Sequence, residues 1–290
     1  MQNVPVTHHR VTVNGIAMHY AAAGPQDGPV VVLLHGFPEF WYAWRHQLPA
    51  LARAGYRVIA PDLRGYNETD KPQGIDAYRL PRLVDDIHAL IHQTGGTCAC
   101  VVGHDWGGVI AWALAATHPG DTRRLAVLNA PHPRAYHREL KRGARQWLRS
   151  WYALFFQLPH LPERALASPW WNVGRLLRST SVRPDAFTDA DVERYRAALR
   201  DPRARTAMLN YYRAAFRHPA DSRIGVVSVP TLVIWGEQDV ALVPDLANDL
   251  SAWVPNVRVH RLPHASHWVQ HDDPVRVNTL ILGFLDGNGR

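Results

Sequence analysis

The segment Gly103-His104-Asp105-Trp106-Gly107-Gly108 holds the residues best suited to chemistry. It follows a short apolar run, Cys98–Val102, and leads into an apolar helical pattern over 107–118. A nucleophile framed by small residues between a strand and a helix is the nucleophile-elbow pattern, whose sharp turn lifts one side chain clear of a sheet. Here that side chain is the carboxylate of Asp105. An aspartate needs no base to act as a nucleophile at neutral pH, and its attack on an sp³ carbon leaves an alkyl ester on the protein. A glycine-rich turn carrying a solvated aspartate is the plain alternative.

A second segment favours the elbow. After Val30–Leu34 come His35-Gly36-Phe37-Pro38. A loop in this place supplies one backbone N–H to an oxyanion hole, and the residue after the nucleophile supplies the other. The two expected donors are therefore the backbones of Phe37 and Trp106. A base is sought among 17 histidines, so no single histidine is informative without its position. In this chain order the base belongs between the last strand and the last helix. That loop, Pro263-His264-Ala265-Ser266-His267-Trp268, offers His264 and His267, with His271 trailing. The acid belongs after the preceding strand, where Gly236-Glu237-Gln238-Asp239 offers Glu237 and Asp239. A further position for the acid, after Leu125–Leu128, holds Asn129, which is not a carboxylate. Spacing alone leaves both pairs of choices open.

Positioning these residues requires a sheet. Val11–Val13, Asn14-Gly15 and Ile16–Tyr20 read as a hairpin around an Asn-Gly turn. Val30–Leu34, Tyr56–Ala60, Cys98–Val102 and Leu125–Leu128 have the length and branching of buried parallel strands. Helical patterns lie between them at 41–53, 79–93 and 107–118. Thr231–Trp235, a helix near 245–253, Val257–Leu262 and a helix near 274–285 continue the alternation. This order predicts an α/β fold with a mostly parallel sheet and helices on both faces. Ligands in such sheets sit beyond the carboxyl ends of the strands, where the candidate residues fall.

Composition narrows the class. With 290 residues, 47% hydrophobic and 10% aromatic, the chain has enough apolar surface to exclude disorder as its main state. No apolar run approaches the roughly 20 residues of a membrane helix. The start, Met1 to His9, has no basic and apolar leader pattern, so a cytoplasmic protein is expected. Cys98 and Cys100, two residues apart in one strand pattern, suit neither a disulfide nor a cysteine-rich metal site. Charge is unevenly spread: residues 131–223 carry 18 basic and 8 acidic side chains, the remainder 14 and 17. The shift marks an insertion over 131–224 within a core formed by 1–130 and 225–290. No nucleic-acid-binding motif accompanies the arginines, so no nucleic-acid partner is expected. A homodimer is compatible with the sequence.

Within the insertion, Asp201-Pro202 read as the cap and first residue of a helix running to about 216. Ala204, Met208, Tyr211 and Ala215 recur on one face of it, which suits Tyr211 to core packing. Tyr212 lies about 100° around the helix. Trp147, Trp151, Phe155, Phe156, Trp170 and Trp171 are expected mostly as core of the insertion. Some of them should line an apolar pocket, and Trp151 and Phe155, with Phe37 and Trp106, are the expected substrate contacts.

The whole pattern resembles the epoxide hydrolases of the α/β-hydrolase fold, particularly the soluble type. The resemblance rests on His35-Gly36-Phe37-Pro38-Glu39 with Trp41-Tyr42-Ala43-Trp44-Arg45, on Ala60 to Tyr66, and on the elbow from Gly103 to Gly108. Tyr152-Ala153-Leu154-Phe155-Phe156-Gln157-Leu158-Pro159 and Leu209-Asn210-Tyr211-Tyr212-Arg213 are similar to the family's two lid-tyrosine motifs. It covers nearly the whole chain and is weakest across 160–200. The resemblance implies Asp239 as acid, His267 as base, and Tyr152 with Tyr212 as a pair of lid tyrosines. It further implies that an apolar epoxide and water are converted to a vicinal diol without a metal or an organic cofactor. Dehalogenases share the aspartyl-ester route, but Phe37 stands where haloalkane dehalogenases carry a polar side chain. Trp106 and Val109 stand where fluoroacetate-type relatives place arginines. A catalytically silent binding protein on the same fold is the third alternative.

Overall fold

The computed structural model describes residues 4–168 and 172–287. In chain order the elements are β1 (Thr7–Val13), β2 (Ile16–Ala23), β3 (Val30–Leu34), α1 (Gln47–Arg53), β4 (Arg57–Pro61), α2 (Leu80–Gln93), β5 (Ala99–His104), α3 (Trp106–Thr117) and β6 (Thr122–Leu128). A run of helices follows: α4 (Pro133–Arg142), α5 (Ala144–Arg149), α6 (Trp151–Phe155), α7 (Leu161–Ala167), α8 (Val173–Thr180), α9 (Asp189–Ala198) and α10 (Pro202–Arg217). The chain then returns to β7 (Thr231–Gly236), β8 (Val257–Leu262), α11 (Val269–Asp272) and α12 (Pro274–Leu285).

The eight strands form one sheet in the order β1-β2-β4-β3-β5-β6-β7-β8. β1 and β2 are antiparallel, as are β2 and β4, and every later pairing is parallel. Strands β3, β5 and β7 are buried along almost their whole length, because helices cover both faces. That is why their sequences run apolar rather than alternating. One face packs Leu48, Leu51, Val277, Ile281 and Phe284 from α1 and α12; the other packs Ile87 and Ile91 of α2 with Ile110–Ala115 of α3. Strand order reverses between β3 and β5: the chain leaves β3 for β4 on one side and returns to β5 on the other. This switch point opens the crevice where ligands bind in such sheets.

Among the described residues the regular elements of the insertion are all helices, and hydroxyls and an indole are among the groups that tie it to the core. Two of its longest helices, α9 and α10, start at side-chain caps: Asp201 accepts the Arg203 N–H, and Thr188 with Asp191 forms a reciprocal capping box. Tyr211 donates to the Arg64 carbonyl at 2.7 Å, Tyr195 to Glu39 at 3.0 Å, and Tyr42 of the core to Asp191 at 2.8 Å. The Trp268 indole donates to Thr180 at 2.8 Å. No helix among the described residues is long and apolar enough to cross a membrane.

Several expectations change in detail. The helix near 245–253 is absent; only a 3₁₀ turn, Pro244–Ala247, forms there. Arg138 donates to the carbonyls of Asp245 and Asn248, acceptors a continuing helix would need for itself, and Asp249 turns left-handed at φ 51°. The pattern at 41–53 divides into a 3₁₀ turn, Trp41–Trp44, and α1. Strand β5 begins at Ala99, so Cys98 precedes it, and both cysteines are free. Trp147 and Trp151 are 49% and 56% exposed rather than core, because α5 and α6 are short outer helices. The Trp147 indole bonds at the surface to the Leu140 carbonyl. Trp170 and Trp171 lie outside the described residues.

Candidate active site

Asp105 is the N-cap of α3, one residue beyond β5, with φ 50° and ψ −121°. A positive φ at a non-glycine residue is strained and persists only where the surroundings enforce it. Three glycines allow that enforcement by closeness rather than by their own backbone angles. A Cβ on Gly103 would run into the Gly107 carbonyl, one on Gly107 into the Leu34 carbonyl, and one on Gly36 into the Asp105 side chain. The elbow thus sits against the loop after β3, and Phe37 N–H donates to Asp105 Oδ1 at 2.8 Å. The N–H of Trp106 opens α3 at the next peptide, so the positive end of the helix dipole also faces the carboxylate.

From the other side comes His267, in the loop between β8 and α11. Its Nε2 lies 3.8 Å from Asp105 Oδ2, and its Nδ1 lies 2.7 Å from Asp239 Oδ2. Asp239 is buried and also accepts from the N–H groups of Ala241 and Leu242 at 2.7 and 2.9 Å. Burial pushes its carboxyl up, but the charge and hydrogen bond of His267 outweigh burial and hold it below the ordinary carboxylate value. Burial pulls the imidazole of His267 down, and the charge of Asp239, with its hydrogen bond and the charge of Asp105, raises it to about 9. The two sequence ambiguities are separated in space. Glu237 pairs with Arg261 at 3.0 Å, and His264 is exposed. His271 is turned to Glu39 at 2.8 Å.

Tyr152 of α6 and Tyr212 of α10 meet edge to face, with ring centroids 5.9 Å apart. They are brought together by Arg213, which reaches from α10 to the carbonyls of Phe156 and Leu158 and to Glu163. Burial raises both phenols well above their ordinary value, with the charge of Asp105 adding to it. They stay protonated as donors. Both tyrosines, Asp105 and His267 line one cavity of about 320 Å³, otherwise walled mostly by apolar groups including Phe37, Trp151, Phe156, Val173, Leu176 and Trp268. Of the expected contacts, Phe37 and Trp151 line it and Trp106 and Phe155 do not. The Trp106 ring packs edge-on against Tyr211 and Tyr212, and Phe155 packs beside Trp151 and Phe156.

Two groups near the site were not assigned from the sequence. Asn129, set aside there as no acid, donates to Asp239 Oδ2 at 2.8 Å and accepts from Gly236 N–H at 2.8 Å. It holds the carboxylate that holds the histidine. Its position just beyond β6 was the available signal. Below the site, fully buried Glu39 contacts His104 at 3.1 Å and His271 at 2.8 Å, and His104 Nε2 meets the His267 carbonyl at 2.9 Å. Burial opposes the charge on Glu39, yet the histidine partners hold its carboxyl well below the ordinary value.

Comparison with known proteins identifies relatives along nearly the whole chain. The family model described as the alpha/beta hydrolase fold matches residues 29–274. The AB hydrolase superfamily protein YfhM of Bacillus subtilis (strain 168) is 46% identical over 95% of this chain and 96% of its own length. Epoxide hydrolase 4 of Homo sapiens is 39% identical over 95% of this chain and 77% of its own. A crystal structure of a variant epoxide hydrolase from Bacillus megaterium, complexed with its product (R)-3-(1-naphthyloxy)propane-1,2-diol, superposes with a TM-score of 0.86. It is 33% identical, over 96% of this chain and all of that one. With such similarity along nearly its full length, the chain belongs to the epoxide hydrolase family of the α/β-hydrolase fold.

Proposed function

We propose that the protein hydrolyses an apolar epoxide to a vicinal diol through an ester on Asp105. The observation that carries this reading is the single cavity into which a carboxylate, a histidine and two protonated phenols all open. Residues 131–224 act in it as a lid that supplies the phenols. Asp105 Oδ1 is engaged by the Phe37 N–H, which leaves Oδ2 to attack a ring carbon. The carbon–oxygen bond breaks, the ring oxygen leaves on the far side, and it takes its proton from Tyr152 or Tyr212.

In the second half-reaction His267, oriented by Asp239, takes a proton from water, which attacks the carboxyl carbon of Asp105. Charge gathering on Oδ1 is met by the N–H groups of Phe37 and Trp106. The ester bond then breaks, and the leaving oxygen takes the proton that the attacking water brought to the carboxyl. The proton held by His267 restores the tyrosine, and the diol leaves. Ester formation removes the negative charge that helps to hold the His267 proton, so the base is released when its step begins. The naphthyloxy diol held by the Bacillus megaterium relative supports aryl glycidyl ethers as a first substrate class to assay. A halide leaving group is the second reading; two phenol donors and the ring of Phe37 favour oxygen.

One turnover in oxygen-18 water tests the route. The label is expected in the Asp105 carboxylate and not in the first diol released. A labelled diol with unlabelled protein would mean direct attack by water. Turnover of chloroalkane or fluoroacetate controls in preference to epoxides would move the reading to a dehalogenase.

A further inference from the structure

A second cluster of reactive side chains lies at the opposite end of the sheet from Asp105. His88 and His92 stand one turn apart on α2, so their side chains share one face of the helix. Both meet Asp121, in the turn between α3 and β6. His88 Nδ1 lies 2.5 Å from one carboxylate oxygen, and His92 Nε2 lies 3.3 Å from the other. One ligand atom from each of the three falls within 4.8 Å of the others. His118, at the end of α3, packs its ring 4.5 Å from that of His88, centroid to centroid. Its Nδ1 is taken by the Thr117 hydroxyl at 2.9 Å, which leaves Nε2 as the nitrogen for a ligand.

From this geometry we propose that His88, His92 and Asp121, with His118 completing the set, form a binding site for a divalent transition metal ion of the zinc class. Imidazole nitrogens and one carboxylate oxygen are the ligands such an ion prefers, at metal–ligand distances of about 2.0–2.2 Å. A tetrahedral arrangement at these lengths spaces its ligand atoms by roughly 3.3 Å. The His92–Asp121 contact matches that spacing, and the His88–Asp121 contact is shorter than it. His88 and His92, 40% and 43% exposed, have room to adjust their rotamers. Asp121 has no arginine or lysine partner among the described residues; its ion pairs are with the two histidines alone.

The support behind the ligands is firm on both sides. The core face of α2 is locked by Leu83, Ile87, Leu90 and Ile91. The turn carrying Asp121 is closed by its N–H to the His118 carbonyl at 3.1 Å, and its own carbonyl accepts the N–H of Ala99 at the start of β5. An ion here would clamp α2 to the amino ends of β5 and β6 and leave the cavity untouched. It would act on stability, not on turnover. The cluster also accounts for three of the many histidines for which the hydrolytic route has no use.

Titration of the chelator-stripped full chain with zinc and with cobalt chloride at neutral pH tests the site. One equivalent of each is expected per chain, with the strong visible absorption of four-coordinate cobalt and a rise in Tm on zinc addition. His92→Gln and Asp121→Asn should each weaken binding at least tenfold, and His118→Gln less, while all three keep wild-type epoxide turnover. His9→Gln, on the exposed hairpin, should bind zinc as wild type does. Undiminished affinity in the His92 and Asp121 variants, or binding that follows His9 instead, would overturn the proposal. So would failure of the wild-type chain to bind either ion.

Discussion

Asp105 and Tyr212 open into one cavity, yet the two regions that supply them hold their side chains by different means. The α/β core positions Asp105, Asp239 and His267 with backbone: strand ends, a strained turn, and peptide N–H groups that grip the carboxylates. The insertion positions Tyr152 and Tyr212 with side chains: edge-to-face aromatic contacts, and one arginine that gathers two carbonyls and a carboxylate. Backbone anchoring tolerates little change in the residues involved. Side-chain anchoring depends on many contacts, each replaceable. The first half of the site therefore shows as a short motif, and the second only as a loose pattern.

The comparison can be broken most readily at the base. His267→Gln should lower steady-state turnover roughly 10⁴-fold, near the upper range for a general base, while alkylation of Asp105 continues. Mass spectrometry would then find a stable adduct on residue 105, and normal turnover would reassign the base. Tyr152→Phe with Tyr212→Phe should slow alkylation about 10³-fold and leave ester hydrolysis within a few-fold, read by rapid-quench single turnovers. Equal slowing of both half-reactions would give the lid a general structural part instead.

The pH dependence should divide the two steps. On the proposed route hydrolysis of the ester needs neutral His267, whose resting value is raised to about 9 partly by Asp105. Once Asp105 is esterified that contribution is gone. The hydrolysis rate should climb with pH through a midpoint below 9, while alkylation shows no such rise. Matching profiles for both steps would contradict the division. The smallest expected effect concerns neighbouring tyrosines. Tyr211→Phe removes the hydrogen bond to the Arg64 carbonyl and should cost about 1 kcal/mol of stability with kcat and KM unchanged. Tyr212→Phe should do the reverse, and denaturant melts beside kinetics would separate them.

Periodicity was enough to place most strands of the core, and α12 falls on the expected range. The failures have specific tertiary causes. The stretch 245–253 has apolar spacing compatible with a helix, but Arg138, more than a hundred residues earlier, takes the carbonyls that helix would use. The aromatic cluster of the insertion read as core because tryptophan is usually buried, whereas Trp147 and Trp151 sit on short outer helices.

What the amino-acid sequence determined alone was the order of the parts: a carboxylate at a strand-to-helix joint, an acid and a histidine after later strands, and aromatic helices between them. Those are local properties, written in apolar spacing and in small residues where chains must approach closely. The choice of Asp239 over Glu237 as the partner of His267 belongs to the tertiary structure. So do the service of Asn129 to that carboxylate and the meeting of Tyr152 with Tyr212. Each depends on which side chains face one another across strands and helices far apart in the chain. Close packing and buried hydrogen bonds settle that choice, because a buried polar group must find its partner wherever the fold brings one.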